Sequence, residues 1–97
     1  MRIIARRTLE NFYEQHADAR NELQAWWYEA KHAEWKSPAD IKARYATASI
    51  IADNRVVFNI GGNKYRLVVK FHYNIGNGYI RFIGTHADYD KIDATTI

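Results

Sequence analysis

Seven residues near the C-terminal end have the types and spacing to act on a phosphate ester: Lys64, Arg66, Lys70, His72, Arg81, His86 and Tyr89. Alternate side chains of an extended chain point to opposite faces. Lys64, Arg66, Val68, Lys70 and His72 therefore share one face of the run Lys64–Tyr73, and Tyr65, Leu67, Val69, Phe71 and Tyr73 share the other. The second set is a core face. The first is a basic face holding a single valine. In the next run Ile80 and Phe82 belong with the core, which leaves Tyr79, Arg81 and Ile83 on the basic side.

Such a shelf suggests an anionic partner, and if that partner is RNA these groups could also cut it. The 2′-hydroxyl of RNA attacks the adjacent phosphorus when a general base helps. A general acid protonates the leaving 5′-oxygen, and cations stabilise the charge that builds on phosphorus. Arg66 and Arg81 fit the last role, because a guanidinium stays charged and binds phosphate oxygens bidentately. Lys64 adds a point charge. Lys70 and His72 lie toward the loop end and suit contacts to the RNA backbone. Histidine titrates near neutrality, so His86 serves as acid or as base. A phenol ionises near pH ~10, so Tyr89 as a base needs cations beside it. Bland readings exist for each of these residues, from solvated cations on a sheet to a tyrosine ring packed for its own sake.

The elements that position these groups are legible in the pattern. Val56–Ile60, Lys64–Tyr73 and Tyr79–Thr85 are rich in β-branched and aromatic residues. Short Gly- and Asn-containing linkers join them, which predicts an antiparallel meander. Burying both apolar sets together pairs Phe71 with Ile80 and Val69 with Phe82. That register sets Arg81 near Lys70 and Arg66 near Thr85. Upstream, Arg2-Ile3-Ile4 reads as an edge strand. Leu9, Phe12 and Tyr13 mark a helix over Thr8–His16. Asp18 caps a second helix that runs to about Trp35. Ser37-Pro38-Ala39-Asp40 opens a short third helix that ends near Tyr45. Ala48–Ile51 is a strand that turns at Asp53-Asn54, and the polar tail from Ala87 to Ile97 is a short helix or coil.

Helices followed by strands predict an α+β fold, with two to three N-terminal helices covering one face of an antiparallel sheet and the basic face left open. The 97 residues fit one domain. An apolar share of 47%, with 3 Trp, 7 Tyr and 4 Phe, supports a substantial core and argues against disorder. A net charge of +3 suggests an anionic partner less strongly than the clustering does. There is no cysteine, which removes disulfides and thiolate metal sites. The four histidines show no metal-ligand spacing with carboxylates, so no metal or other cofactor is expected. Trp26, Trp27 and Trp35 read as core, and Gly61-Gly62 as a turn between strands rather than a phosphate loop. No signal peptide or membrane span is evident, and a soluble cytoplasmic protein is expected.

The run Val57–Leu67 (VFNIGGNKYRL), the run Ile80–Asp90 (IRFIGTHADYD) and the segment from Ala25-Trp26-Trp27 to Trp35-Lys36-Ser37-Pro38 resemble the HigB-type toxins of bacterial toxin–antitoxin systems. The resemblance spans nearly the whole chain. It implies a RelE-like fold and cleavage of mRNA, usually on the translating ribosome. It also implies a cognate HigA-like antitoxin with a helix-turn-helix domain. Basic residues of the central strands and a His or Tyr near the C-terminus carry the family's function; here these are Lys64, Arg66, Arg81, His86 and Tyr89. A non-catalytic module that binds RNA, the ribosome or the antitoxin also explains a basic shelf. His86 and Tyr89 separate the two readings, because a binder has no need of proton-transfer groups beside two arginines.

Overall fold

A computed structural model describes all 97 residues. It has mixed α+β architecture: a five-stranded sheet with three helices on one face. The strands are β1 (Arg2–Ile4), β2 (Ser49–Ile51), β3 (Arg55–Ile60), β4 (Tyr65–His72) and β5 (Asn77–Thr85). The helices are α1 (Arg6–Gln15), α2 (Arg20–His32), α3 (Pro38–Arg44) and the single turn α4 (His86–Tyr89). The strand order is β1-β5-β4-β3-β2. Only the edge pair β1–β5 is parallel; the meander from β2 to β5 is antiparallel, as the short linkers require. Asp53 and Asn54 both take positive φ, 58° and 62°, the two-residue turn that suits the twist of a hairpin.

The core lies between the helices and the sheet. Leu9 and Tyr13 of α1, Leu23, Trp26 and Ala30 of α2, and Ile41 of α3 meet Val56, Phe58 and Ile60 of β3 and Tyr65, Leu67, Val69 and Phe71 of β4. Phe58 sits edge-on to Trp26 at 5.2 Å and to Tyr45 at 5.3 Å. Such aromatic pairs add roughly 0.5–1.5 kcal/mol each beyond burial. Trp26 and Trp35 are core, as expected. Trp27 is half-buried, with Arg6 and Lys31 over its ring at 4.0 and 4.8 Å.

Several expectations need correction. The pairing of β4 with β5 is Val69 with Ile80 and Val68 with Phe82, with a bulge at that step. Arg81 is the extra residue. One inserted residue exchanges the faces beyond it. Phe82 therefore leaves the core and packs on Val57 and Val68, while Ile83 turns inward. Lys70 pairs with Tyr79 and Arg66 with Gly84, not with Arg81 and Thr85. Lys64 precedes β4 and lies in the turn.

The open face is not bare. Ala94 and Ile97 of the tail cover Val57 and Val68, and Val68 is 0% exposed. Arg55, only 6% exposed, anchors that tail through hydrogen bonds from its guanidinium to the Ile97 oxygen.

Two caps also differ. Asp18 lies in a 3₁₀ turn (Ala17–Ala19) ahead of α2, and Ser37 makes no side-chain cap. At the start of α3 the Asp40 carboxylate instead accepts from the Lys36 backbone N–H at 2.9 Å. α2 ends at His32, before Trp35.

Candidate active site

Thr85 ends β5 and caps α4: its hydroxyl accepts from the Asp88 backbone N–H at 3.1 Å. This turn sets His86 and Tyr89 on one side of the helix, three residues apart. They face Arg66, which projects from the open face of β4 opposite Gly84. An Arg66 N–H contacts His86 Nε2 at 2.6 Å. Arginine has donors only, so Nε2 accepts, and the neutral ring carries its proton on Nδ1. Nδ1 in turn faces Asp90 Oδ2 at 3.7 Å. The Arg66 guanidinium lies 5.2 Å from the centre of the Tyr89 ring, a cation–π arrangement. Tyr89 leans on Phe82, with ring centres 6.3 Å apart.

The support beneath this cluster is specific. A Cβ on Gly84 would fall 2.6 Å from Phe82 Cζ and 3.3 Å from Asp88 Cβ. Only glycine leaves room for the phenyl ring to lie over that strand and carry Tyr89. Arg66 has no carboxylate partner, and its Nε–H is buried without an acceptor. An unsatisfied buried donor costs about 1–3 kcal/mol and needs a reason to persist.

The structure brings together Arg66, His86 and Tyr89 of the expected residues. Arg81 is exposed at the bulge and makes no ion pair or hydrogen bond through its side chain. Lys64 is drawn away: its amine pairs with Asp18, whose other oxygen accepts from the Tyr65 hydroxyl at 2.7 Å. These two donors hold the Asp18 carboxyl below the ordinary carboxylate range, and the Asp18 carboxylate in turn pushes the Lys64 amine up. Lys70 and His72 occupy the far end of the same strand face. At about 3.3 Å per residue, Arg66 and Lys70 are separated by about 13 Å along β4. No group of three or more His, Asp or Glu side chains is gathered closely enough to hold a metal ion.

Sequence reasoning missed Asp90, Phe82 and Gly84. Asp90 stands four residues after His86, a helical spacing that signals contact. The consecutive apolar pair Phe82-Ile83 breaks strict alternation and was the available sign of a bulge.

A family model described as HigB toxin, the RelE-like toxic component of a toxin–antitoxin system, matches residues 19–92. The chain is 29% identical over 96 residues to the mRNA interferase toxin HigB of Escherichia coli strain K12, an alignment covering 97% of this chain and 92% of that protein. The proteins named mRNA interferase HigB from Escherichia coli O157:H7 and Shigella flexneri align with the same identity and coverage. A family match over most of the chain, on the sheet and helices that present Arg66, His86 and Tyr89, leads to one conclusion: this chain belongs to the HigB toxin family of RelE-like toxins.

Proposed function

We propose that this chain is a toxin endoribonuclease that cleaves mRNA by attack of the substrate's own 2′-hydroxyl. The observation that carries the reading is the hydrogen bond from Arg66 to His86 Nε2, with the same guanidinium over the Tyr89 ring. It joins a fixed cation, a neutral imidazole and a phenol on one open edge. The names of the relatives make mRNA the substrate of choice.

Roles follow from the hydrogen-bond partners. His86 accepts through Nε2, so it is the general base once Arg66 releases it. Arg66 moves to the phosphate, where its unpartnered Nε–H and the N–H that left His86 grip two oxygens as a fork. Asp90 stands behind Nδ1 and steadies the imidazolium that forms. Tyr89 keeps its proton until the 5′-oxygen leaves and then donates it. Arg81, free on the bulge, supplies a second cation to the strand. Lys64 serves at most as a remote contact, because Asp18 neutralises it. The reaction needs no metal, since the nucleophile belongs to the substrate and arginine supplies the electrostatics. It leaves a 2′,3′-cyclic phosphate and a 5′-hydroxyl.

We place this activity in the cytoplasm, on mRNA presented by the translating ribosome, where a single-stranded segment is held extended. A helix-turn-helix antitoxin of the HigA type neutralises the chain from its helical side. That side exposes Tyr28 (64%) on α2, and β1 offers a free strand edge.

The test is induced expression without antitoxin, with end-mapping of cellular mRNA. Growth arrest with mRNAs cut to 5′-hydroxyl ends is the expected result. Normal growth with soluble protein present and mRNAs intact contradicts the proposal. Adding ribosomes to purified chain and mRNA then decides whether cutting needs them.

A further inference from the structure

A second cluster lies at the far end of the open sheet face from Arg66. Asp53, Asn54, Arg55, Lys70, His72, Thr95 and Thr96 line a recess with no apolar side chain. Arg55 and Lys70 reach it; Asp53 lines it, and Asp93 stands beside Thr95, which hydrogen-bonds to its carboxylate. Lys70 makes no ion pair. Arg55 is already engaged, donating to the Ile97 oxygen and to the Asp53 backbone carbonyl, which leaves Lys70 as the free cation of the recess. Asp53 sits on the exposed hairpin turn.

An aromatic pair stands beside the cations. Tyr79 is the cross-strand neighbour of Lys70, and its ring meets the His72 ring edge-on at 5.2 Å. The Asn77 side chain donates to the Tyr79 hydroxyl at 3.0 Å and fixes that ring in place. Cations next to an aromatic face are what single-stranded nucleic acid selects: the phosphate takes the charge and the base takes the ring.

We infer that this recess is a second RNA subsite, binding one phosphate of the strand through Lys70 and stacking a base on the Tyr79–His72 pair. The inference rests on the RNA reading above and extends it. The two ends lie on one face of β4, about 13 Å apart at about 3.3 Å per residue. The apolar cover formed by Phe82, Tyr89, Ala94 and Ile97 separates them. The strand crosses that cover, with its scissile phosphate at Arg66 and a neighbouring nucleotide in the recess. The subsite therefore governs affinity for longer RNA rather than the chemical step.

The probe is a hexaribonucleotide fully 2′-O-methylated, which cannot be cut, so binding is read whether or not the chain is a nuclease. Affinity and its salt dependence are measured for wild type, Lys70→Ala, His72→Ala and Lys36→Ala, the last removing a lysine outside the recess. Lys70→Ala is expected to weaken binding about tenfold and to reduce the slope of log affinity against log salt by about 1. His72→Ala is expected to weaken binding with little change in slope. Titrating the oligonucleotide into wild type should shift the backbone amide signals of Thr95 and Thr96. Undiminished affinity in both recess variants overturns the inference. So does an equal loss in Lys36→Ala, or a wild type that does not bind the probe. Failure of the nuclease reading shows separately, as unmodified mRNA left uncut.

Discussion

Arg66 and His86 hold each other through a 2.6 Å hydrogen bond between a guanidinium nitrogen and Nε2. One residue comes from a central strand and the other from the first turn after β5, so the contact exists only when β4 and β5 are in register. With Arg66 donating, the imidazole is held in the tautomer whose Nε2 lone pair faces the guanidinium. Under the mechanism proposed above, that lone pair becomes available as the base when a phosphate draws Arg66 away.

Arg81→Ala tests the second cation. Arg81 is exposed and makes no ion pair or side-chain hydrogen bond, so the change should alter stability by no more than about 0.5 kcal/mol. Loss of a contact to the charged transition state should slow cleavage on the order of a hundredfold. Thermal melting and single-turnover cleavage check both halves. A variant that cuts at the wild-type rate removes Arg81 from the site.

Gly84→Ala tests the support beneath Tyr89. The new methyl would stand 2.6 Å from Phe82 Cζ, so the ring must move and take Tyr89 with it. Overpacking of this kind costs about 1–3 kcal/mol. The melting temperature should fall by several degrees, and cleavage should fall even at temperatures where the variant is folded. Wild-type cleavage in this variant would detach Tyr89 from the mechanism.

Asp18→Asn tests the link between the 3₁₀ turn and β4. Hydrogen bonds from Lys64 and from the Tyr65 hydroxyl depress the Asp18 carboxyl in the folded chain. Its stabilising contribution is present above the unfolded value of about 4 and is lost as pH falls through the folded value. The variant should melt below wild type at neutral pH. The two melting curves should converge as pH drops below about 4. Curves that stay parallel across that range would refute the coupling.

Antitoxin binding tests which side is used for neutralisation. If the antitoxin grips the helices, a triple Arg66, Arg81 and Tyr89→Ala variant keeps its affinity. A loss greater than about tenfold, some 1.4 kcal/mol, places the antitoxin on the catalytic face instead.

The fold class was legible because each element carried its own period: three-and-four spacing in Leu9, Phe12 and Tyr13, alternation in Tyr65–Phe71, and turn residues at Asp53-Asn54. The same alternation placed Arg66 on the open face, while His86 and Tyr89 were singled out by residue type and by the family resemblance, and the structure sets all three side by side. What stayed hidden were the features decided between elements. A bulge of one residue exchanged Phe82 for Ile83 because both are apolar and either satisfies a core. Lys64 looked like part of the shelf, since alternation says nothing of an Asp18 46 residues away. The tail looked polar, yet its few apolar residues, Ala94 and Ile97, cover Val68 once Arg55 fixes the chain end over the sheet.

The most direct test of the central claim uses one RNA oligonucleotide with a mapped cut site and its twin carrying a single 2′-deoxyribose on the 5′ side of that cut. Wild type should cut the first and leave a 2′,3′-cyclic phosphate. It should leave the twin intact at that position. His86→Ala should slow cutting of the first on the order of a hundredfold or more. Cleavage of the deoxy twin at the same bond, or a His86→Ala protein as fast as wild type, would contradict attack by the 2′-hydroxyl under His86 catalysis.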